Sequence, residues 1–245
     1  MICLKKRRLR YSPPLLSFIS GVIPGGIYIS SGDSSSAMGS AVDKEKILKE
    51  LREAIEKGEV DEEVIPILNS INSLESLVTT SSCAGRIQLI EVGELGDKEG
   101  SRWIGKYHSW PGVETLIEDI TTWRGEGFLL LQCQSPIFHV RSRDIKRATW
   151  LLNLAREAGF KYSGIRSIRL DKKGGIVEFS VVVELLTPNR LDLPLGRCGT
   201  LYISEEELRA LLPLFKGCLE RGKASLRRLR ELLEEHLDRG TPLPL

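Results

Sequence analysis

Residues 164–187 read GIRSIRLDKKGGIVEFSVVVELLT, two apolar runs joined through DKKGG. Runs rich in Val and Ile around a glycine turn predict a β-hairpin, whose strands pair antiparallel. The pattern recurs upstream, where RIQLIEVGE and SRWIGKYH flank the GDKEG turn. Segments of helical period separate these hairpins, so the chain predicts an α+β fold in one domain, with a mixed, mainly antiparallel sheet.

The helices are legible from spacing and caps. From Asp43 as N-cap, Ile47, Leu51, Ala54 and Ile55 share one face, and Gly58 ends the segment. A second helix begins at Asp61, Glu62 and Glu63, with Val64, Ile67, Leu68, Ile71 and Leu74 as its apolar stripe. PGVETLIEDITTW predicts a third, and Ser142 caps a fourth that stops at Gly159. Ser204 to Glu207 spell a capping box, SEEE, before a long helix to about Arg239 that Pro213 is expected to kink. Between the helices, FLLLQCQ predicts a buried strand broken at Pro136, and PNRLDLPLGRCGT reads as a long connection.

The first forty residues differ from the rest. KKRRLR, PPLLSFISGVIPGGIYI and SSGDSSSAMGS imitate a signal peptide, but Pro13, Pro14 and Pro24 interrupt the apolar stretch, which is too short to cross a bilayer. We expect a miscalled or disordered extension over 1–40, a natural start near Met38, and the working domain over 41–245. Removing the extension takes away four net positive charges, so the formal +2 becomes −2 for the remainder. Five dispersed cysteines with no CxxC pair favour reduced thiols and an intracellular, cytoplasmic setting, with no metal site and no membrane span.

Chemistry concentrates in two places. TTSSCAGRIQ, residues 79–88, packs hydroxyls, a thiol, a glycine and an arginine into what reads as a loop feeding a strand. Gly85 permits positive φ and Arg86 offers a planar fork for a carboxylate or phosphate, so the stretch is either a ligand loop or a tight connection satisfying its own backbone. On the strand that follows, alternation points Lys106 and His108 the same way, while Trp103, Tyr107 and Trp110 either stack an unpaired base or enter the core. From Arg141 to Lys173 there are ten basic and three acidic residues, among them Arg141, Arg143, Lys146, Arg147, Lys172 and Lys173, a patch suited to a phosphate backbone or to solvent. EVGELGDKEG lacks the glycine spacing of a dinucleotide turn and precedes a strand, so it reads as a hairpin turn and the fold is not Rossmann-like.

TSSCAGRI, WIGKYH, SPIFHV, AREAGFKYSGI, PNRLDLPLG and YISEEEL, in that order, resemble the tRNA wybutosine-synthesising protein 3 family, archaeal branch, over about residues 41–235. The resemblance implies an α+β fold with a large curved sheet. It further implies an S-adenosylmethionine-dependent methyltransferase acting on N4 of the tricyclic guanosine derivative beside the anticodon of tRNA(Phe). On that basis His108 and His139 are the candidate bases. Arg86 and Lys106 are candidate carboxylate holders, and Ser81, Ser82, Cys83 and Gly85 line the pocket. Ser163, Gly164 and Arg190 match family segments without an assigned role. His236, on the charged C-terminal helix, reads as incidental. Two rivals stay open: a thiol enzyme using Cys83 with His108 or His139, and a non-catalytic tRNA-binding protein.

Overall fold

The computed structural model describes residues 41–93, 101–173 and 176–238; the side chains of 41–43 and 171–178, and residues 1–40, where an extension is expected, lie outside the described residues. Among the described residues, five α-helices and nine strands follow in the order α1 (Ala41–Glu56), α2 (Ile65–Ser73), β1 (Leu77–Cys83), β2 (Arg86–Val92), β3 (Arg102–Tyr107), α3 (Val113–Thr122), β4 (Phe128–Gln134), β5 (Ile137–Ser142), α4 (Ile145–Glu157), β6 (Gly164–Lys173), β7 (Ile176–Leu186), β8 (Leu191–Arg197), β9 (Thr200–Leu201) and α5 (Glu205–Asp238). A short 3-10 turn, Glu62–Val64, leads into α2.

The class is the expected α+β, and the β-surface is divided between two sheets. Sheet one has the order β1-β5-β7-β6 and sheet two the order β3-β2-β4-β8-β9, with antiparallel pairing in every described ladder. Each sheet has its own core. In the first, Phe138, Val140, Val181, Val183 and Leu185 meet Ile67, Leu68 and Ile71 of α2, Leu151 and Ala155 of α4, and Leu226, Leu229 and Leu233 of α5. In the second, Ile87, Leu89, Leu129, Leu131 and Leu195 meet Leu116 and Ile120 of α3, and Leu208, Leu212, Phe215 and Leu219 of α5.

The 34 residues of α5 span about 51 Å at the helical rise, so one half serves each core and the helix ties the sheets together. Gly222 lies between the halves, where an added Cβ would come within 2.9 Å of Pro136 Cδ. The chain changes sheets at this point three times. Ala84–Gly85 joins β1 to β2, Ser135–Pro136 joins β4 to β5, and Thr187–Arg190 joins β7 to β8. Thr187 N–H donates to Pro136 O, and Ser135 Oγ to Asn189 O.

Several local expectations are corrected. The helix cap after β5 is Asp144, whose carboxylate accepts from the Lys146 and Arg147 amides. Ser142 is instead the last residue of β5, its hydroxyl bonded to the Asp144 backbone. The first helix begins at Ala41, so Asp43 lies inside its first turn. Residues 79–83 form strand, and only Ala84–Gly85 are the link, with Gly85 at φ +77°. PNRLDLPLGRCGT supplies strands: Leu193 and Leu195 of β8 alternate inward against β4, and Pro194 is tolerated because β9 covers only the Gly196–Arg197 end of the other edge.

Candidate functional site

The triple crossing brings the chemistry of the TTSSCAGRIQ stretch to one point. Arg86 begins β2 with 1% of its surface exposed, and its Nη2 donates to Cys83 Sγ at 2.8 Å. Next to it on the sheet, Gln88 Nε2 donates to Gln132 Oε1 at 2.5 Å, both side chains buried. The Ala84 N–H at the turn donates to Asp61 Oδ2 at 2.9 Å. Asp61 sits at the N-cap of the 3-10 turn, but its carboxylate makes no cap hydrogen bond there and reaches back to the crossing instead.

The other oxygen of Asp61 receives His108 Nδ1 at 2.7 Å, just past the end of β3. A carboxylate only accepts, so the neutral imidazole carries its proton on Nδ1 and presents an Nε2 lone pair. Partial burial lowers the pKa of His108; Asp61 opposes that, while the cations Arg86, Lys106 and Lys223 add to it. Lys106 is likewise lowered, by burial and then by Arg86, against the pull of Asp61 and Cys83. Asp61, Glu62, Glu63, Lys106, His108 and Lys223 line an open cleft of about 650 Å³, within the size range of small-molecule sites. Lys223 of α5 is anchored across the cleft by a short ion pair to Glu63.

A second polar cluster lies on sheet one. Ser81 Oγ and His139 Nδ1 are 2.7 Å apart, and His139 Nε2 is 2.9 Å from Glu184 Oε2. Because Glu184 can only accept, the neutral ring donates from Nε2 and accepts a hydrogen bond from the Ser81 hydroxyl at Nδ1. Arg166 stands 3.6 Å from the same carboxylate. His139 foremost, and Arg166, hold the Glu184 pKa below the ordinary value despite burial, which works the other way. Ser81 and Cys83 are two residues apart on β1 and point to one side, about 7 Å from each other along the strand. The two clusters are therefore neighbours across the crossing.

The remaining expected residues fall elsewhere. Ser163 is buried, donating to Phe160 O and accepting the Leu186 N–H, so its hydroxyl closes the turn before β6; Gly164 opens that strand. Arg190 pairs with Asp192 at 2.6 Å beside the third crossing. Ser82 lies opposite Phe138 on β1. Tyr107 and Trp110 pack against the second core, and the Tyr107 hydroxyl donates to Asp119. Arg141 and Arg143 stand at the far end of β5, at least about 13 Å along the strand from the crossing, near Lys146 and Arg147 of α4. Lys172 and Lys173 end β6, and their side chains lie outside the described residues.

Sequence reading missed Asp61, Glu184 and Lys223. Asp61 was legible only as an acid before a helix, and nothing in the spacing joins it to His108. Glu184 did leave a signal, a lone carboxylate inside the apolar run VVVELL. Among the described residues, no group of three or more His, Cys, Asp or Glu side chains is placed to hold a metal ion, and no helix is long and apolar enough to cross a membrane.

Comparison with known proteins extends this geometry. Residues 42–235 match the family model described as Methyltransferase TYW3. A Thermococcus kodakarensis protein named tRNA(Phe) 7-((3-amino-3-carboxypropyl)-4-demethylwyosine(37)-N(4))-methyltransferase 1 is 40% identical over 192 residues, covering 78% of this chain and 92% of that one. A Methanocaldococcus jannaschii methyltransferase of the same designation, without the final number, is 37% identical over 199 residues, 81% and 98% of the two chains. Among solved structures, the PH1069 protein from Pyrococcus horikoshii superposes with a TM-score of 0.68 at 37% identity, over 78% of this chain and 93% of that one. A hypothetical protein from Aeropyrum pernix gives 0.56 at 30% identity, over 71% and 98%.

Proposed function

Because the chain belongs to the Methyltransferase TYW3 family, we propose that it transfers a methyl group from S-adenosylmethionine to N4 of the demethylwyosine-type base beside the anticodon of tRNA(Phe). The observation that carries this reading to particular residues is the cleft in which Asp61, His108, Lys106 and Lys223 converge beside the crossing of the two sheets. Both reactants named in the reading carry an α-amino-carboxylate, and the cleft offers both signs of charge for one. Lys106 is the group for a carboxylate and Glu62 the group for an ammonium, with the Lys223–Glu63 ion pair beside them. Arg86 is sealed beneath this surface and acts through Cys83 and the local positive potential.

When bound, S-adenosylmethionine supplies the electrophilic methyl group. The chain's part is to align the reactants, keep water out and take the proton that the ring nitrogen must lose. His108 suits the last role, because Asp61 holds its proton on Nδ1 and its depressed pKa keeps it neutral near pH 7. His139 has both ring nitrogens engaged, so its part is to order Ser81 and Glu184 on the adjoining face. The phosphate backbone is assigned to Arg141, Arg143, Lys146, Arg147, Lys172 and Lys173. Free thiols at Cys83, Cys133, Cys198 and Cys218 fit a reducing cytoplasm.

Titration of the full chain with S-adenosylmethionine, by calorimetry with and without tRNA(Phe), tests the cofactor assignment. Saturable binding that weakens in Lys106→Ala supports the reading. Binding of tRNA with no binding of the cofactor under either condition overturns it in favour of a tRNA-binding protein.

A further inference from the structure

We propose that Cys133 of β4 and Cys218 of α5 form a thiol–disulfide site, oxidised by a peroxide, that fastens α5 to sheet two. The two residues are distant in the chain and meet in the second core, where Cys133 is fully buried and Cys218 is partly exposed. Their thiols hydrogen-bond to each other. A disulfide needs its sulfurs about 2.0 Å apart, so two thiols already in contact have only a short approach left. Cys83 and Cys198 instead hydrogen-bond Arg86 and the Glu126 carbonyl. In sheet two, Cys133 lies between Ile87 of β2 and Leu191 of β8. Cys218 lies one turn before Gly222, which packs on Pro136 at the crossing. A bond between the two sulfurs therefore joins the sheet to the helix that serves both cores. Neither residue lines the cleft of Asp61 and His108.

The two thiols are unequal. The hydrogen bond from Cys133 lowers the Cys218 pKa, with help from Arg221 on the same helix, against burial and the charge of Asp192. Cys133 is pushed the other way, by that same hydrogen bond, by burial and by the charges of Cys218 and Asp192. Asp192 is itself paired with Arg190. Cys218 is therefore the nucleophile and Cys133 the resolving thiol. The Cys218 thiolate attacks one oxygen of hydrogen peroxide. An S–O bond forms, the O–O bond breaks, and the leaving hydroxide takes up the proton released by Cys218 as water. The Cys133 sulfur then attacks the sulfenic sulfur. The S–S bond forms, the S–O bond breaks, and the second hydroxide leaves with the Cys133 proton as water. Two electrons pass from the thiol pair to the peroxide.

The test exposes the reduced full chain to hydrogen peroxide, alkylates the remaining thiols after denaturation, and maps the linked peptides by mass spectrometry. Cys218→Ser and Cys133→Ala are treated in parallel. Expected in the parent is a Cys133–Cys218 linked peptide within one chain, with a melting temperature raised by about 5–10 °C and both changes reversed by dithiothreitol. Cys218→Ser should form no link and leave Cys133 alkylatable. In Cys133→Ala the reaction should stop at the sulfenic acid, which dimedone traps on Cys218. Two results would overturn the proposal. One is a parent in which Cys133 stays fully alkylatable while the exposed Cys198 is oxidised. The other is a parent in which dimedone labels Cys218 as fully as in Cys133→Ala, since the neighbouring thiol would then not resolve it.

Discussion

Gly85 and Pro136 meet at the crossing so closely that a Cβ on Gly85 would lie 2.8 Å from Pro136 Cδ and equally close to Gln134 O. Gly85 also has φ +77°. Gly85→Ala therefore combines left-handed backbone strain with an overlap against backbone, and we expect a loss of about 2–4 kcal/mol in chemical denaturation. A loss below about 0.5 kcal/mol would mean that the crossing relaxes freely and does not fix Cys83 and Arg86.

Glu91, at the end of β2, gives a pH-dependent prediction. Burial raises its pKa, but the Gly127 N–H, Arg102 and Trp123 Nε1 outweigh it and hold the carboxylate below its ordinary range. A depressed folded-state pKa contributes stability above the unfolded value, near 4.3, that is lost as pH falls through the folded value. Glu91→Gln should be less stable at neutral pH and show a shallower stability loss on acidification. Parallel acid-unfolding curves for the two proteins would contradict this.

Cys83 is 2% exposed and accepts a hydrogen bond from Arg86. In the proposed direct transfer it forms no covalent bond, so Cys83→Ser should keep methyl transfer within about 10-fold of the parent, a loss of at most about 1.4 kcal/mol. Complete loss in a folded variant would revive covalent catalysis by the thiol.

The Ser81–His139–Glu184 chain separates two histidine roles. His139→Ala strands a mostly buried carboxylate beside Arg166 and should cost about 1–3 kcal/mol of stability. His108→Ala, which leaves Asp61 the Ala84 amide and the neighbouring cations as partners, should cost no more stability than that, yet lower the methyl-transfer rate by about 10²–10⁴. Thermal melts and initial rates on both variants check the pair, and exchanged effects would exchange the roles.

How much of this was legible in the sequence depended on how local the cause was. The SEEE box forms as spelled, with Glu207 Oε2 accepting from Ser204 N–H and Ser204 Oγ accepting from Glu207 N–H, because four adjacent residues contain all the partners. Lys106 and His108 line the same cleft because strand alternation is equally local. The division into two sheets was hidden, because it follows from where three short links pack against one another and against Gly222. β8 was hidden behind Pro194 and its glycine, although Leu191, Leu193 and Leu195 carried the period of two. The Asp61–His108 pairing had no local signature at all, since it joins the N-cap of a 3-10 turn to the end of a distant strand.

The most direct test gives the purified full chain S-adenosylmethionine labelled on its methyl group, together with tRNA(Phe) bearing the 7-(3-amino-3-carboxypropyl)-4-demethylwyosine base, and identifies the product by nuclease digestion and mass spectrometry. One labelled methyl group on N4 of that base, formed by the parent and strongly reduced in His108→Ala, is the predicted result. No label on the base, from a folded protein that binds the tRNA, would contradict the proposed activity.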